Sequence, residues 1–106
     1  MWSLWFKLLF VKRAIVSLAR KRSVEVTVVW IGAVRLSPRN LAIWVKTSLN
    51  SERDRLRGDP TFIRGVYVAL YKYGYPADVV EHVELVIESQ ERVDQECGGS
   101  WRMAMQ

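Results

Sequence analysis

The sequence predicts an α+β fold in which a three- to four-stranded antiparallel sheet has helices packed on one face. Apolar residues recur every three or four positions in some segments, which is the period of a helix, and every second position in others, which is the period of a strand. The predicted elements follow in the order α-β-β-α-α-β-(β). With 106 residues, 50% of them hydrophobic and 25% charged, the chain fits one domain over residues 1–106.

The first element is a helix predicted over residues 3–22. Its apolar face is built by residues at helical spacing, namely Leu4, Leu8, Val11, Ile15 and Leu18. The first half of the helix is apolar on its other sides as well, because Trp2, Phe6 and Phe10 point away from that face. Such a surface needs a cover, and we expect a homodimer through this helix.

Two neighbouring strands are predicted after the first helix. Residues 24–34 are rich in β-branched and aromatic side chains, which favours a central strand. Residues 36–40 contain Ser-Pro and Asn and are typical of a turn. Residues 41–47 alternate in polarity, so we expect a second strand antiparallel to the first.

Two helices are predicted next. Ser48 or Ser51 is expected to cap a short helix that runs to Arg57 and ends at Gly58. Asp59 is a suitable cap for the following helix, in which Pro60 fits the first turn and Gly74 closes the last one. Its apolar face is predicted to contain Phe62, Val66, Ala69, Leu70 and Tyr73.

A further strand is predicted towards the C-terminus. Residues 76–81 have the composition of a single helical turn, and residues 83–90 alternate apolar with acidic side chains. This alternation is typical of a half-buried strand, so we expect the carboxylates of Glu84 and Glu88 to face water.

The last residues are predicted to contain no helix. Residues 91–97 are polar, and the glycine pair at 98–99 favours a flexible break. Residues 101–105 alternate Trp and Met with Arg and Ala, which indicates a short terminal edge strand.

Charge is divided along the chain. Residues 1–77 carry 14 Lys and Arg against 4 Asp and Glu, whereas residues 78–96 carry 7 acids against one arginine. A concentration of one sign on one surface steers association and selects partners. The charge pattern therefore predicts a binding surface.

The residue inventory argues against most chemistry. Cys97 and His82 are the single cysteine and the single histidine, so no internal disulfide, zinc site or Cys/His nucleophile pattern is expected. The carboxylates show no calcium-loop spacing, and no phosphate loop is present in the sequence. We expect no enzyme activity, no metal and no cofactor.

The apolar runs are too short to span a bilayer and the start does not resemble a secretory signal, so we expect a cytoplasmic protein.

Five short segments carry a resemblance to known proteins. They are Leu-Ala-Ile-Trp-Val at 41–45, Glu-Arg-Asp-Arg-Leu at 52–56, Gly-Tyr-Pro at 74–76, Glu-Ser-Gln-Glu at 88–91 and Gly-Gly-Ser-Trp at 98–101. In these segments the chain resembles small, mostly uncharacterised bacterial proteins. In size and lack of an active site it also resembles immunity proteins of contact-dependent and other polymorphic toxin systems. The resemblance implies a non-enzymatic protein that neutralises a cognate toxin domain by direct occlusion.

For such a toxin partner, the expected contact residues are the C-terminal acids and two aromatic anchors: Glu84, Glu88, Glu91, Asp94, Glu96, Tyr75 and Trp101. On this hypothesis neither nucleic acid nor a membrane is the partner. The alternative is a basic-surface adaptor that binds nucleic acid or a membrane surface, because the isoelectric point is 9.7 and cations follow the first helix at residues 20–22. Salt dependence separates the two hypotheses.

Overall fold

A computed structural model describes residues 4–31 and 41–105. Side chains are described from residue 7 onward within these ranges, except for the side chain of Ile31. The described part contains six helices and three strands, and it confirms the predicted α+β class. In chain order the elements are α1 (Leu4–Arg20), β1 (Thr27–Ile31), β2 (Ala42–Thr47), α2 (Asn50–Arg57), α3 (Pro60–Lys72), α4 (Ala77–Val80), β3 (Glu84–Ser89), α5 (Gln90–Cys97) and α6 (Trp101–Ala104).

The three strands form one mixed sheet in the order β1-β2-β3. β1 and β2 are antiparallel as predicted, with Val28 opposite Val45. β3 is parallel to β2, with Val45 beside Ile87, so the prediction of a wholly antiparallel sheet is wrong for this strand. Residues 48–83, which contain three helices, provide the long crossover that a parallel neighbour needs.

The core lies between one face of the sheet and the helices α1, α2, α3 and α4. Ile43, Val45 and Thr47 of β2 are buried and alternate with half-buried residues on the opposite face. The core residues contributed by the helices are Val11, Ile15 and Ala19 of α1, Leu56 of α2, Phe62, Val66 and Leu70 of α3, and Val79 and Val80 of α4. The helices that form this core pack on one face of the sheet, as predicted. α6 instead contacts Lys46 on the opposite face, through Trp101.

α1 and α3 pack closely against each other at Gly65. A Cβ placed on Gly65 would lie 2.9 Å from Cδ1 of Leu18, which is closer than two carbon atoms approach in folded proteins. Glycine at this point of α3 therefore lets the two helices lie side by side. None of the helices among residues 4–31 and 41–105 combines the length and the apolar character that crossing a membrane requires.

The N-terminal cap predicted from sequence is confirmed for α3 but not for α2. The N–H of Phe62 donates to Oδ1 of Asp59 at 3.0 Å, which confirms the cap predicted for α3. For α2 the predicted serine caps are wrong, because Leu49 occupies the cap position and its N–H donates to Oε1 of Glu52 at 2.9 Å. The strand predicted over 24–34 begins at Thr27 rather than at residue 24, and the end of that segment and the turn at 36–40 lie outside the described residues.

The C-terminal region is helical, which corrects two predictions. Ser89 Oγ accepts the N–H of Arg92 at 3.1 Å and begins α5 in the segment predicted to be irregular. Ser100 Oγ accepts the N–H of Met103 at 3.3 Å and begins α6 where an edge strand was predicted. Gly98, with φ of 60°, ends α5 in the left-handed conformation that glycine tolerates.

Candidate functional site

The structure brings the predicted contact acid Glu88 into the interior. Only 6% of Glu88 is exposed, so the prediction that its carboxylate faces water is wrong. Its Oε1 accepts from Nη1 of Arg53 at 2.9 Å, and its Oε2 lies 3.3 Å from Nη1 of Arg92 and 3.4 Å from Nη2 of Arg57. One carboxylate thus ties β3 to α2 and α5, and it has no surface left to offer a partner.

The surroundings of Glu88 keep it ionised. Burial raises the pKa of this carboxyl, but the N–H of Ser89, the hydrogen bond from Arg53 and the charges of Arg92 and Arg57 outweigh burial, and the pKa lies below its ordinary value. The same interactions raise the pKa of Arg53, first through its hydrogen bond to Glu88. The cluster is a structural ion network rather than a proton donor or acceptor.

Most of the other predicted acids also have partners within the chain. Oε1 of Glu91 accepts the backbone N–H of Asn50 at the start of α2, at 2.9 Å. Oε2 of Glu96 lies 2.6 Å from Nε of Arg92. Oδ1 of Asp94 accepts from the side-chain amide of Gln90 at 2.8 Å. Among the predicted contact acids, Glu84 is the one that is exposed and whose carboxylate has neither a hydrogen bond nor an ion pair with a described residue.

The two predicted aromatic anchors are held within the fold. Tyr75 is 5% exposed, so it cannot serve as a surface anchor, and burial raises its pKa to about 12. Trp101 is half-buried, its Nε1–H donates to Oε1 of Gln90 at 2.6 Å, and Nζ of Lys46 lies 4.5 Å from its ring centroid. Trp101 attaches α6 to the rest of the domain and keeps part of its ring accessible.

A second surface has the opposite character. We call it the basic face, and it consists of the exposed cations of α1, the following turn and α3: Lys12, Arg13, Arg20, Lys21, Arg64 and Lys72. Neither α1 nor α3 contains an acidic residue. None of these six cations forms an ion pair with any residue in the described part of the chain.

The basic face includes a groove that α1 and α3 share. A shallow groove of about 300 Å³ between α1 and α3 is lined by Ser17 and Lys21 on one side and by Val68 and Lys72 on the other. Apolar side chains are exposed between the charges, at 37% for Leu9, 54% for Val68 and 48% for Tyr71. Sequence reasoning noted the basic residues but missed that α1 and α3 combine them without any acid, although this is visible in residues 4–20 and 60–72.

The described residues contain no constellation for metal or nucleophile chemistry. Within residues 4–31 and 41–105, no group of three or more His, Cys, Asp or Glu side chains could hold a metal ion. Nδ1 of His82 lies 2.7 Å from the backbone oxygen of Asp78, and Cys97 is a half-buried free thiol at the end of α5. The arrangement of charges is therefore the feature from which a function can be argued.

Comparison with known proteins finds no family model, no curated protein and no solved structure that matches this chain. The resemblances drawn from its short segments stay predictions.

Proposed function

We propose that this protein is a non-enzymatic binding protein that holds an anionic partner on its basic face. The observation that supports this function is the contrast between the two charged regions. Glu88, Glu91 and Glu96 of the C-terminal part are bound to arginines or a backbone amide of the same chain, whereas the six cations of the basic face have no ion pair with a described residue. The cations of the basic face are therefore available to bind an anionic partner.

Electrostatics favours binding there. Charges of one sign on two adjacent helices add their potentials, and this raises the local concentration and the association rate of a partner of opposite charge. Cations that are paired within the fold contribute little to such a field. On this reasoning Arg13, Arg20 and Lys21 act on a partner, whereas Arg53 acts on Glu88.

The apolar side chains among the cations argue for contact as well as attraction. Leu9, Val68 and Tyr71 are each more than a third exposed on the basic face. A surface that combines aromatic and aliphatic residues with arginine has the composition of a binding surface. We therefore expect a partner that presents anionic groups together with apolar area.

Heparin, a sulfated polyanion, is a suitable first probe. The Arg13→Glu variant reverses an exposed charge on the basic face, and Arg102→Glu makes the same change on α6, at an exposed arginine with no ion pair among the described residues. We expect Arg13→Glu to elute from heparin at clearly lower salt than wild type, and Arg102→Glu to elute close to wild type, because bound polyanions release counterions locally.

Equal elution of the two variants would show that only the net charge of the chain matters, and would overturn the assignment of the basic face. Circular dichroism and urea unfolding establish that both variants are folded. Since both variants carry the same formal charge, the difference between them isolates position from amount.

A second candidate is the immunity protein implied by the sequence. It is favoured by the exposed carboxylate of Glu84 and by the accessible part of the Trp101 ring, which remain available after the internal pairs are counted. Copurification of tagged protein from its native host after nuclease treatment tests it. This candidate requires a stoichiometric protein partner that is lost in Glu84→Lys and kept in Arg13→Glu; the opposite pattern supports the basic face.

A further inference from the structure

A cleft lies where the N-terminal half of α1 meets the C-terminal end of α3. It has a volume of about 420 Å³ and is lined by Lys7 and Phe10 of α1 and by Lys72, Tyr73 and Gly74. Phe10 and Tyr73 form one wall, since their rings stack with centroids 5.5 Å apart and planes 17° from parallel. Lys72 also borders the groove between α1 and α3, so the cleft is continuous with the basic face.

Both lysines of the cleft are held by their neighbours. Gly74 turns the chain with φ of 95°, and a Cβ at this position would lie 3.5 Å from both Cε and Nζ of Lys7. Nζ of Lys7 lies 6.0 Å from the ring centroid of Tyr75, and Nζ of Lys72 lies 5.7 Å from that of Tyr73. Aromatic rings attract ammonium groups placed near their faces, so the two charges are kept at the cleft before any ligand arrives.

The lining specifies the chemistry of the occupant. Among the described residues, two ammonium groups and no carboxylate line the cleft, so charge complementarity favours an anion. The stacked wall of Phe10 and Tyr73 requires apolar atoms next to that anion. A phosphate that carries hydrocarbon satisfies both conditions. We propose that the cleft receives the headgroup of an anionic phospholipid and that the basic face lies on the surface of an anionic bilayer.

Two observations favour a bilayer over nucleic acid. Tyr73 is already stacked on Phe10 and carries the Lys72 ammonium, so it is not a free platform for a base, which single-strand binding requires. The chain before the cleft contains Trp2, Trp5 and Phe6, and aromatic residues together with cations are typical of segments that bind in the interfacial region of membranes. This inference rests on the proposed function and names its partner.

Vesicle binding tests the cleft. Wild type and variants are sedimented with vesicles of phosphatidylglycerol and phosphatidylcholine, and with vesicles of phosphatidylcholine alone. We expect binding to the anionic vesicles only, weakened about fivefold by either Lys7→Gln or Lys72→Gln and about thirtyfold by both, since each lysine at a charged surface contributes a factor of about five. The control Arg102→Gln removes an exposed charge on α6, outside the basic face, and is expected to lower binding less than twofold.

The outcomes separate this inference from the proposed function. If Arg102→Gln weakens vesicle binding as much as Lys72→Gln, the attraction follows net charge and the headgroup cleft is overturned, while the heparin comparison tests the basic face separately. If wild type binds heparin in the position-dependent way described above but no vesicle, the partner is another polyanion and the bilayer is overturned. Loss of both would overturn the proposed function as well. Urea unfolding of each variant excludes loss of folding as the cause.

Discussion

The Glu88 cluster and the basic face use arginine and lysine in opposite ways. In the cluster, three arginines from α2 and α5 surround one carboxylate of β3 within 2.9 to 3.4 Å. On the basic face, six cations project from α1, the turn after it and α3 without an ion pair among the described residues. The charges of the cluster connect elements that are far apart in the chain. The charges of the basic face connect no elements among the described residues.

The difference shows that a charge count along the sequence does not locate a binding surface. The region richest in acids, residues 78–96, is the docking side that the sequence predicts, yet Glu88 is paired with Arg53 and Arg57 of the basic part of the chain, and Glu96 with Arg92 of its own region. Once the paired arginines are set aside, α1, the turn after it and α3 carry six exposed cations and no acid, and they provide a basic surface whose charge is available to a partner.

The largest expected effect follows from removing the centre of the cluster. Glu88→Gln leaves the guanidinium groups of Arg53, Arg57 and Arg92 facing one another without a carboxylate. Because the Glu88 side chain is 8% exposed, we expect the free energy of unfolding to fall by about 3 kcal/mol, as when one partner of a buried ion pair is lost. Urea unfolding followed by circular dichroism measures this change.

Two controls sharpen the comparison. Glu84→Gln makes the same substitution on the same strand at an exposed position, and Arg13→Gln removes a charge from the basic face. Each is expected to change the free energy of unfolding by less than about 0.5 kcal/mol. A loss in Arg13→Gln as large as that in Glu88→Gln would mean that the basic face is structural, which would break the comparison.

A smaller effect is expected from separating α1 and α3. Gly65→Val places a branched side chain where even a Cβ lies 2.9 Å from Leu18, and we expect a loss of about 2 kcal/mol in the free energy of unfolding. Gly65→Ala is the matched control, because the end of the Leu18 side chain can shift and alanine favours a helix, so its net change should stay within about 1 kcal/mol. A Gly65→Val variant as stable as wild type would contradict the close contact.

Acid tests the carboxylate side of the comparison selectively. The pKa of Glu88 in the folded chain lies below its ordinary value of 4.5, so the unfolded chain binds its proton more tightly. Its stabilisation is complete above pH 4.5 and is lost as the pH falls through the lower folded pKa. As the pH is lowered below about 4.5, we expect the urea concentration at the midpoint of unfolding to decrease for wild type, and to decrease less for Glu88→Gln. An identical decline in both proteins would assign the acid sensitivity to other carboxyls.

The elements predicted from sequence are those with local signals. Asp59, Pro60 and Gly74 mark the ends of α3 because capping, the fixed φ of proline and the left-handed turn are properties of single residues. The apolar spacing of residues 4–18 likewise predicts α1. Such signals act within a few residues of the chain and need no knowledge of tertiary structure.

The direction of β3 and the environment of Glu88 depend on distant residues. Alternation in residues 83–90 predicts a strand but contains no information on whether it runs with or against β2. The same alternation predicts Glu88 on the solvent side, and its burial becomes favourable through the approach of Arg53 and Arg57 from α2, the first helix of the crossover, and of Arg92 from α5.

The helices α5 and α6 could have been found from sequence. Ser89 and Ser100 are suitable helix caps, and Glu91 stands in the first turn of α5 where an acid interacts well with the helix dipole. The glycine pair and the alternation of Trp101, Met103 and Met105 suggested a break and a strand instead. The basic face was equally accessible, through the absence of acids from residues 1–24.

The parallel pairing of β2 with β3 also sets an order of events during synthesis. β1 and β2 are close in the chain and can pair early, whereas β3 follows three helices and is made later. Until Ser89 has left the ribosome, the strand that becomes the middle of the sheet has one unpaired row of backbone amides and carbonyls. The nascent chain is therefore most open to pairing with another polypeptide in that interval, and the arrival of β3 ends it.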